Sequence, residues 1–177
     1  MQIYADNAAT TKMSDLAIEK MLPYMKEIYG NPSSLHSVGQ EAAEHLLEAR
    51  EIMAKALGCQ AREIYFTSGG SEADNWAIKG IANAYKEKGN HIITSSIEHH
   101  AILGSCEFLE KNGYEVTYLP VDECGRINPL DVEKAITDKT ILISIMTANN
   151  EIGTIEPIKE ISQIAKKHKV LFHTDAV

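Results

Sequence analysis

Short apolar runs rich in β-branched residues recur along the chain, and their spacing is what most restricts the fold. They are Glu63–Thr67, His91–Ser95, Glu115–Leu119, Ile141–Met146 and Lys169–Thr174, with starts roughly 25 residues apart. Helical patterns fill the gaps. Ser71–Lys88 follows the first run, with Ala73, Ala77, Ile78, Ile81 and Ala84 on one face. His100–Asn112 follows the second, Asn128–Ile136 the third and Pro157–His168 the fourth. Strands that alternate with helices form βαβ units, so the expected fold class is α/β, a mostly parallel sheet with helices on both faces. Two helices without strands precede this pattern. Asp15–Tyr29 runs into the stop signal Gly30-Asn31-Pro32, and Ser37–Leu57 is closed by Gly58 as a C-terminal glycine.

Composition narrows the class. The chain has 177 residues, 44% of them hydrophobic but only 6% aromatic, so aliphatic side chains must fill most of the core. Seventeen basic against twenty-five acidic residues leave a net charge of −8, which disfavours nucleic acid as a direct partner. No stretch approaches the ~20 apolar residues of a membrane span. The start, Met1 to Asp6, lacks the basic and apolar regions of a secretory signal. Cys59, Cys106 and Cys124 are odd in number and widely spaced, which fits neither a disulfide framework nor a zinc site. They read as buried or inert thiols in a reducing cytoplasm, and no metal site is expected.

Four segments have the make-up of a site. Thr67-Ser68-Gly69-Gly70-Ser71-Glu72 lies between a strand and a helix. Its glycines allow close backbone approach, Ser71 reads as the N-cap, and the helix end favours an anion. It is neither a dinucleotide fingerprint nor a P-loop, and alone it also fits a plain capped turn. Glu98-His99-His100 follows a strand, where a histidine can stack on a flat ring, move a proton near neutral pH, or simply sit exposed at a helix entry. His36, His45, His91 and His168 read as surface groups. Ala148-Asn149-Asn150-Glu151-Ile152-Gly153-Thr154 marks a turn whose amides can also orient a ligand. Asp175 follows the last strand, where a carboxylate can pair with a protonated ring nitrogen or cap a loop. A parallel sheet puts all these strand ends on one rim. Together Gly70, Ser71, His99, Asn150 and Asp175 supply what a phosphorylated pyridine needs.

These segments, together with Tyr4-Ala5-Asp6-Asn7-Ala8-Ala9-Thr10-Thr11, Gly30-Asn31-Pro32-Ser33-Ser34-Leu35-His36 and His173-Thr174-Asp175-Ala176, resemble the N-terminal half of NifS/IscS-type cysteine desulfurases. Those are class V aminotransferase-type enzymes of pyridoxal-phosphate fold type I. The resemblance implies residues 1–13 as an N-terminal arm of the active site and 14–177 as the N-terminal part of the large, cofactor-binding domain. It implies pyridoxal 5'-phosphate as cofactor, with Gly70 and Ser71 on its phosphate, His99 stacked on the ring as the catalytic histidine, and Asp175 on the ring nitrogen. Asn150 would contact cofactor and substrate, and Asn7, Ala8 and Thr10 would bind substrate. The implied substrate is L-cysteine, converted to L-alanine with sulfur passed to an acceptor or scaffold protein for iron–sulfur cluster or tRNA thiolation chemistry, by a cytoplasmic homodimer. A related selenocysteine lyase, another class V enzyme, or a non-catalytic half acting by association remain alternatives.

The family's cofactor-linking lysine and persulfide cysteine match no segment here, so the chain by itself is expected to be inactive. In such domains the first strand is separated from the next four by strands that come later in sequence. Glu63–Thr67 is therefore expected to lack its sheet neighbours.

Overall fold

A computed structural model describes residues 2–177. The chain forms two compact units, Met1–Phe66 and Thr67–Val177.

In the first unit, α1 (Asp15–Lys26) starts at Ser14, whose hydroxyl accepts from the Ala17 amide, and ends earlier than Gly30 suggests. α2 (Ser37–Leu57) begins at His36, whose Nδ1 accepts from the Gly39 amide, and stops at Gly58 in the left-handed conformation (φ 71°). That is the expected glycine stop. A 3-10 turn, Ala61–Glu63, follows. Arg50 of α2 packs its guanidinium over the Phe66 ring and donates to the Ile64 carbonyl.

Glu63–Thr67 is not a strand. Glu63 closes the turn and Ile64 is extended, but no ladder includes the segment among the described residues. Its β-branched and aromatic composition suits a pleated surface, yet a strand exists only through a partner's hydrogen bonds.

The second unit is a parallel sheet in the order β2-β1-β3-β4, made of β1 (His91–Ser95), β2 (Glu115–Leu119), β3 (Thr140–Ser144) and β4 (Leu171–His173). Helix α3 (Gly70–Tyr85) leads into β1, and α4 (His100–Glu110), α5 (Pro129–Ala135) and α6 (Ile158–His168) link the strands. β1 and β3 are buried along their whole length, as a sheet covered on both faces requires. Adjacent residues face opposite sides. Ile92 and Leu142 pack with Ile78, Ala82, Ile102 and Cys106 of α3 and α4, whereas Ile93 and Ile143 pack with Val132, Ile161 and Ala165 of α5 and α6. The core is aliphatic, as the composition demanded.

One sequence reading is corrected here, and another is made specific. His91 is no surface group; it is buried at the start of β1, its Nδ1 2.7 Å from Thr140 Oγ1 and its Nε2 2.8 Å from Thr117 Oγ1. Burial holds this imidazole below its usual pKa range, against a weaker opposing pull from Glu115. Of the thiols only Cys106 is buried, and desolvation pushes it up to about 12. Cys59 and Cys124 are exposed. Among the described residues no helix is long and apolar enough to cross a membrane.

Ile143 is fully buried in the middle of this sheet. Ile143→Ala is expected to lower unfolding stability by about 2–5 kcal/mol, measured as a drop in the urea midpoint with the slope unchanged. A loss below about 0.5 kcal/mol would show that this face of the sheet is not a packed core.

Candidate active site

Because every ladder is parallel, the C-terminal ends of β1, β3 and β4 share one rim, and α3, running back toward the start of β1, has its own N-terminus there. The cradle thus reaches the rim without a preceding strand. Gly69, extended at φ 164°, is the N-cap, and α3 begins at Gly70. Ser71 is not the cap: it lies inside the first turn with its side chain exposed. The first helical bond is Ala73 N–H to Gly69 C=O, so the amides of Gly70, Ser71 and Glu72 are the free donors of the helix start. Nothing lies within 4 Å of where a Cβ on Gly69 would sit, whereas one on Gly70 would meet Val177 Cγ2 at 2.8 Å. The loop folds back on itself. Ser68 donates from its amide (2.6 Å) and hydroxyl (2.8 Å) to Glu72 Oε2. Those bonds hold the Glu72 carboxyl below its usual range.

His99 is exposed and is the N-cap of α4, its Nδ1 accepting from the Ala101 amide at 3.2 Å. With Nδ1 the acceptor, the neutral ring carries its proton on Nε2. Beside it, Glu98 is buried. Its Oε1 accepts from Ser95 Oγ (2.6 Å), at the end of β1, and from the Met146 amide (3.0 Å), just past β3. Its Oε2 is buried without a partner. Desolvation pushes this carboxyl up to about 7.

The Asn149–Thr154 turn is fixed by Asn149, not Asn150. Asn149 is buried, donates from Nδ2 to the Ile97 carbonyl (2.9 Å), and accepts at Oδ1 from the amides of Glu151 and Ile152. Asn150 is left exposed on the turn. Below it, Glu156 Oε2 accepts from the Ile127 amide while Oε1 is buried without a partner, and burial raises this carboxyl too.

Asp175 extends the β3–β4 pairing, its carbonyl accepting from the Thr147 amide at 2.7 Å, and its Oδ1 accepts from the Val177 amide at 3.1 Å. Asp74, on α3, and His173, on β4, lie behind it. His173 Nε2 is 3.7 Å from Asp74 Oδ1, and its Nδ1 is 2.9 Å from Ser144 Oγ. Desolvation, helped by the Asp175 charge and opposed by His99, pushes Asp74 up to about 6, and burial lowers His173.

The structure therefore gathers Gly70, Ser71, His99, Asn150 and Asp175 in the second unit, on the rim the sequence pattern anticipated. Asn7, Ala8 and Thr10 belong to the first unit, where all three are exposed in or beside a turn closed by the Asp6 carbonyl. Sequence reasoning placed Glu98, Asn149 and His173 in the site segments but gave none of them, nor Asp74, the supporting role the structure shows. A carboxylate on the apolar face of a helix (Asp74) and one beside a strand end (Glu98) were the available signals.

The rim thus carries the free amides of a helix start, an exposed imidazole and a carboxylate just past a strand. The aminotransferase class V family matches residues 3–177, and the chain belongs to that family. It is 59% identical over 175 residues to the cysteine desulfurase IscS of Methanosarcina thermophila, spanning 99% of this chain and 43% of that protein. It is likewise 59% identical over 176 residues to the IscS of Clostridium botulinum strain Hall, of which it spans 44%. Among solved structures, a NifS-like protein superposes with a TM-score of 0.97 at 43% identity, covering 100% of this chain and 49% of that one. SspA in complex with cysteine gives 0.94 at 44% identity, covering 98% and 50%. The chain thus spans less than half the length of the curated relatives named here. The family is pyridoxal-phosphate-dependent in general, and the residues present fit that group: open space at Gly69, free amides at Gly70 and Ser71, a flat ring at His99, a carboxylate at Asp175.

A carboxyl raised in the folded state binds its proton more tightly there than in the unfolded chain. Its contribution is fully present below the unfolded value, near 4.5, and is lost as pH rises through about 7. Glu98→Gln is therefore expected to remove part of the stability loss between pH 4.5 and 7.5, by at most about 3 kcal/mol. Urea midpoints of parent and variant across that window are the measurement. Parallel pH profiles would mean that Glu98 is not the group responsible.

Proposed function

We propose that this chain is the N-terminal part of a pyridoxal-phosphate-dependent cysteine desulfurase, converting L-cysteine to L-alanine and handing the sulfur to an acceptor or scaffold protein for iron–sulfur cluster assembly or tRNA thiolation. The observation that supports it best is the grouping of cradle, imidazole, amide and carboxylate on one rim of a chain 59% identical to cysteine desulfurases. That one structural relative is described in complex with cysteine supports the substrate.

When bound, the cofactor supplies an electron sink for charge developing on the substrate. The residues of this chain bind and orient. Free amides at Gly70 and Ser71, with the Ser71 hydroxyl, would hold the phosphate at the positive end of the α3 dipole. The Asp175 carboxylate would accept from the ring N–H and keep that proton on nitrogen. His99 would stack on the ring, with Nε2, the atom its cap leaves free, holding or moving a proton on the substrate side. Asn150 would contact cofactor and substrate, and the leading segment, through Asn7, Ala8 and Thr10, would serve substrate binding. The cofactor-linking lysine and the persulfide cysteine are proposed to lie in the part of the relatives that this chain does not match, which leaves the chain inactive alone. The complete enzyme is proposed to be a cytoplasmic homodimer. The largely exposed apolar side chains of α1, such as Leu16, Leu22 and Met25, support burial of that helix against further protein.

Titration of the 177-residue chain with pyridoxal phosphate, followed by visible absorbance, is expected to saturate, with about tenfold or greater weakening in Asp175→Asn. Intact mass after borohydride reduction is expected to show no specific lysine adduct; a single-site adduct would overturn the placement of the lysine elsewhere. The activity is tested by a chimera in which this chain replaces the matched part of the Clostridium botulinum relative. It is expected to release alanine from L-cysteine and to lose that activity by 10²-fold or more in His99→Ala. A chimera that folds, binds the cofactor and turns over only selenocysteine would overturn the desulfurase reading.

A further inference from the structure

Asp74 has no part in the cradle, yet it is nearly inaccessible, on the inner face of α3 one turn past Gly70 and Ser71. Its side chain meets His173 Nε2 at 3.7 Å, too long for a hydrogen bond and close enough for charge to matter. His173 is two residues before Asp175 on the same strand, and its other nitrogen meets Ser144 Oγ at the end of β3. A continuous line therefore runs from the helix that carries the cradle, through Asp74, His173 and Ser144, to the strand end that carries Asp175. Two charged or titratable groups act on this pair: Asp175 after β4, on both members, and His99 from the start of α4, on Asp74. Burial leaves His173 uncharged near neutrality, so the contact is carboxylate to neutral imidazole and the negative charge of Asp74 stays uncompensated behind Asp175.

We infer that Asp74 is a positioning residue of the cofactor site: set on the helix that bears the cradle and against the strand that leads to Asp175, it adds a second negative charge on the ring side and so helps to orient a cationic ring. This rests on the pyridoxal-phosphate reading. A cationic ring beside Asp175 is attracted by both carboxylates, and neutralising Asp74 removes one of them. The effect belongs to the ring and not to the phosphate, because the Asp74 charge offers nothing favourable to an anion in the cradle.

Two measurements on the 177-residue chain test it. In the first, pyridoxal phosphate and inorganic phosphate are titrated into parent and Asp74→Asn between pH 5 and 8. The ratio of parent to variant affinity for pyridoxal phosphate is expected to be close to one at pH 5, where Asp74 is protonated. It should rise through about 6 to about tenfold at pH 7.5, with inorganic phosphate no weaker in the variant. Taking the ratio cancels the ligand's own titration, and a merely structural residue would give a ratio independent of pH. A flat ratio, or equal weakening of both ligands, would overturn the inference.

The second measurement needs no cofactor. Carboxyl-carbon NMR should show Asp74 titrating near 6 in the parent and lower in Asp175→Asn, because the Asp175 charge is one of the two causes that raise it. An unmoved midpoint sinks the coupling. If the parent binds no pyridoxal phosphate, the cofactor reading fails for this chain and the NMR result alone decides whether Asp74 and Asp175 are coupled.

Discussion

Glu98 Oε1 receives hydrogen bonds from two sides of a strand seam, the Ser95 hydroxyl at the end of β1 and the Met146 amide just past β3. Much of the rim follows from that double contact. It fixes the backbone at residue 98, and so places His99 at the start of α4. It also holds the β3 exit, from which the Asn149 turn departs, and Asn149 returns the tie by donating to the Ile97 carbonyl. Side chains on two separate loops are thus referenced to one buried oxygen. A site assembled from loops gains precision when its supports are buried and hydrogen-bonded, because neither can drift without breaking a bond shielded from water.

This arrangement has a stability cost that the rest of the sheet must offset. Among the described residues Glu98 Oε2 and Glu156 Oε1 are buried without partners, and Asp74 lies against a neutral imidazole with the Asp175 charge nearby. Each is an ionisable group held where its charged form is disfavoured. All three sit at or near the C-terminal rim, while Ile92, Ile93, Leu142 and Ile143 lie fully buried in the body of the sheet. Hydrophobic burial worth roughly 1.5–3 kcal/mol per side chain stabilises the body and leaves the rim able to hold poorly satisfied polar groups. The polarity gradient along β1 and β3 is therefore part of how the site exists.

The body of the sheet was legible in the sequence for the same reason. β1 and β2 match their expected bounds, since a run such as His91-Ile92-Ile93-Thr94-Ser95 buries both faces and suits nothing but an inner strand. His99, Asn150 and Asp175 were legible because they follow strands, and parallel strands end together, whereas Gly70 and Ser71 reach the same rim at the start of α3 with no strand before them. What was not legible depended on partners distant in sequence. Glu63–Thr67 has strand composition but no ladder, and composition does not report a missing neighbour. His91 looked like a surface group because its two threonine partners lie 26 and 49 positions away. Ser71 looked like the cap because its side chain suits one, but helical geometry begins a residue earlier, with extended Gly69 in the cap position. Asn149 and Asn150 are chemically identical in sequence, and only the Ile97 carbonyl distinguishes the anchored one from the exposed one.

The strand that carries Asp175 is the least secure of the four. β4 is three residues long, half-buried throughout, and bonded to the sheet on one side only, through β3. Backbone pairing alone would leave its end free to fray. The Ser144–His173 contact and the Thr147–Thr174 hydroxyl pair (2.9 Å) add side-chain ties at that end. Asp74 of α3 approaches the same strand from the opposite direction, its Oδ1 3.7 Å from His173 Nε2. In the proposed site, an acid that meets a ring nitrogen has to be held at a fixed distance from the group that holds the ring's phosphate. Those two points lie on a helix start and just past an edge strand, and Asp74, His173 and Ser144 stand in series between them.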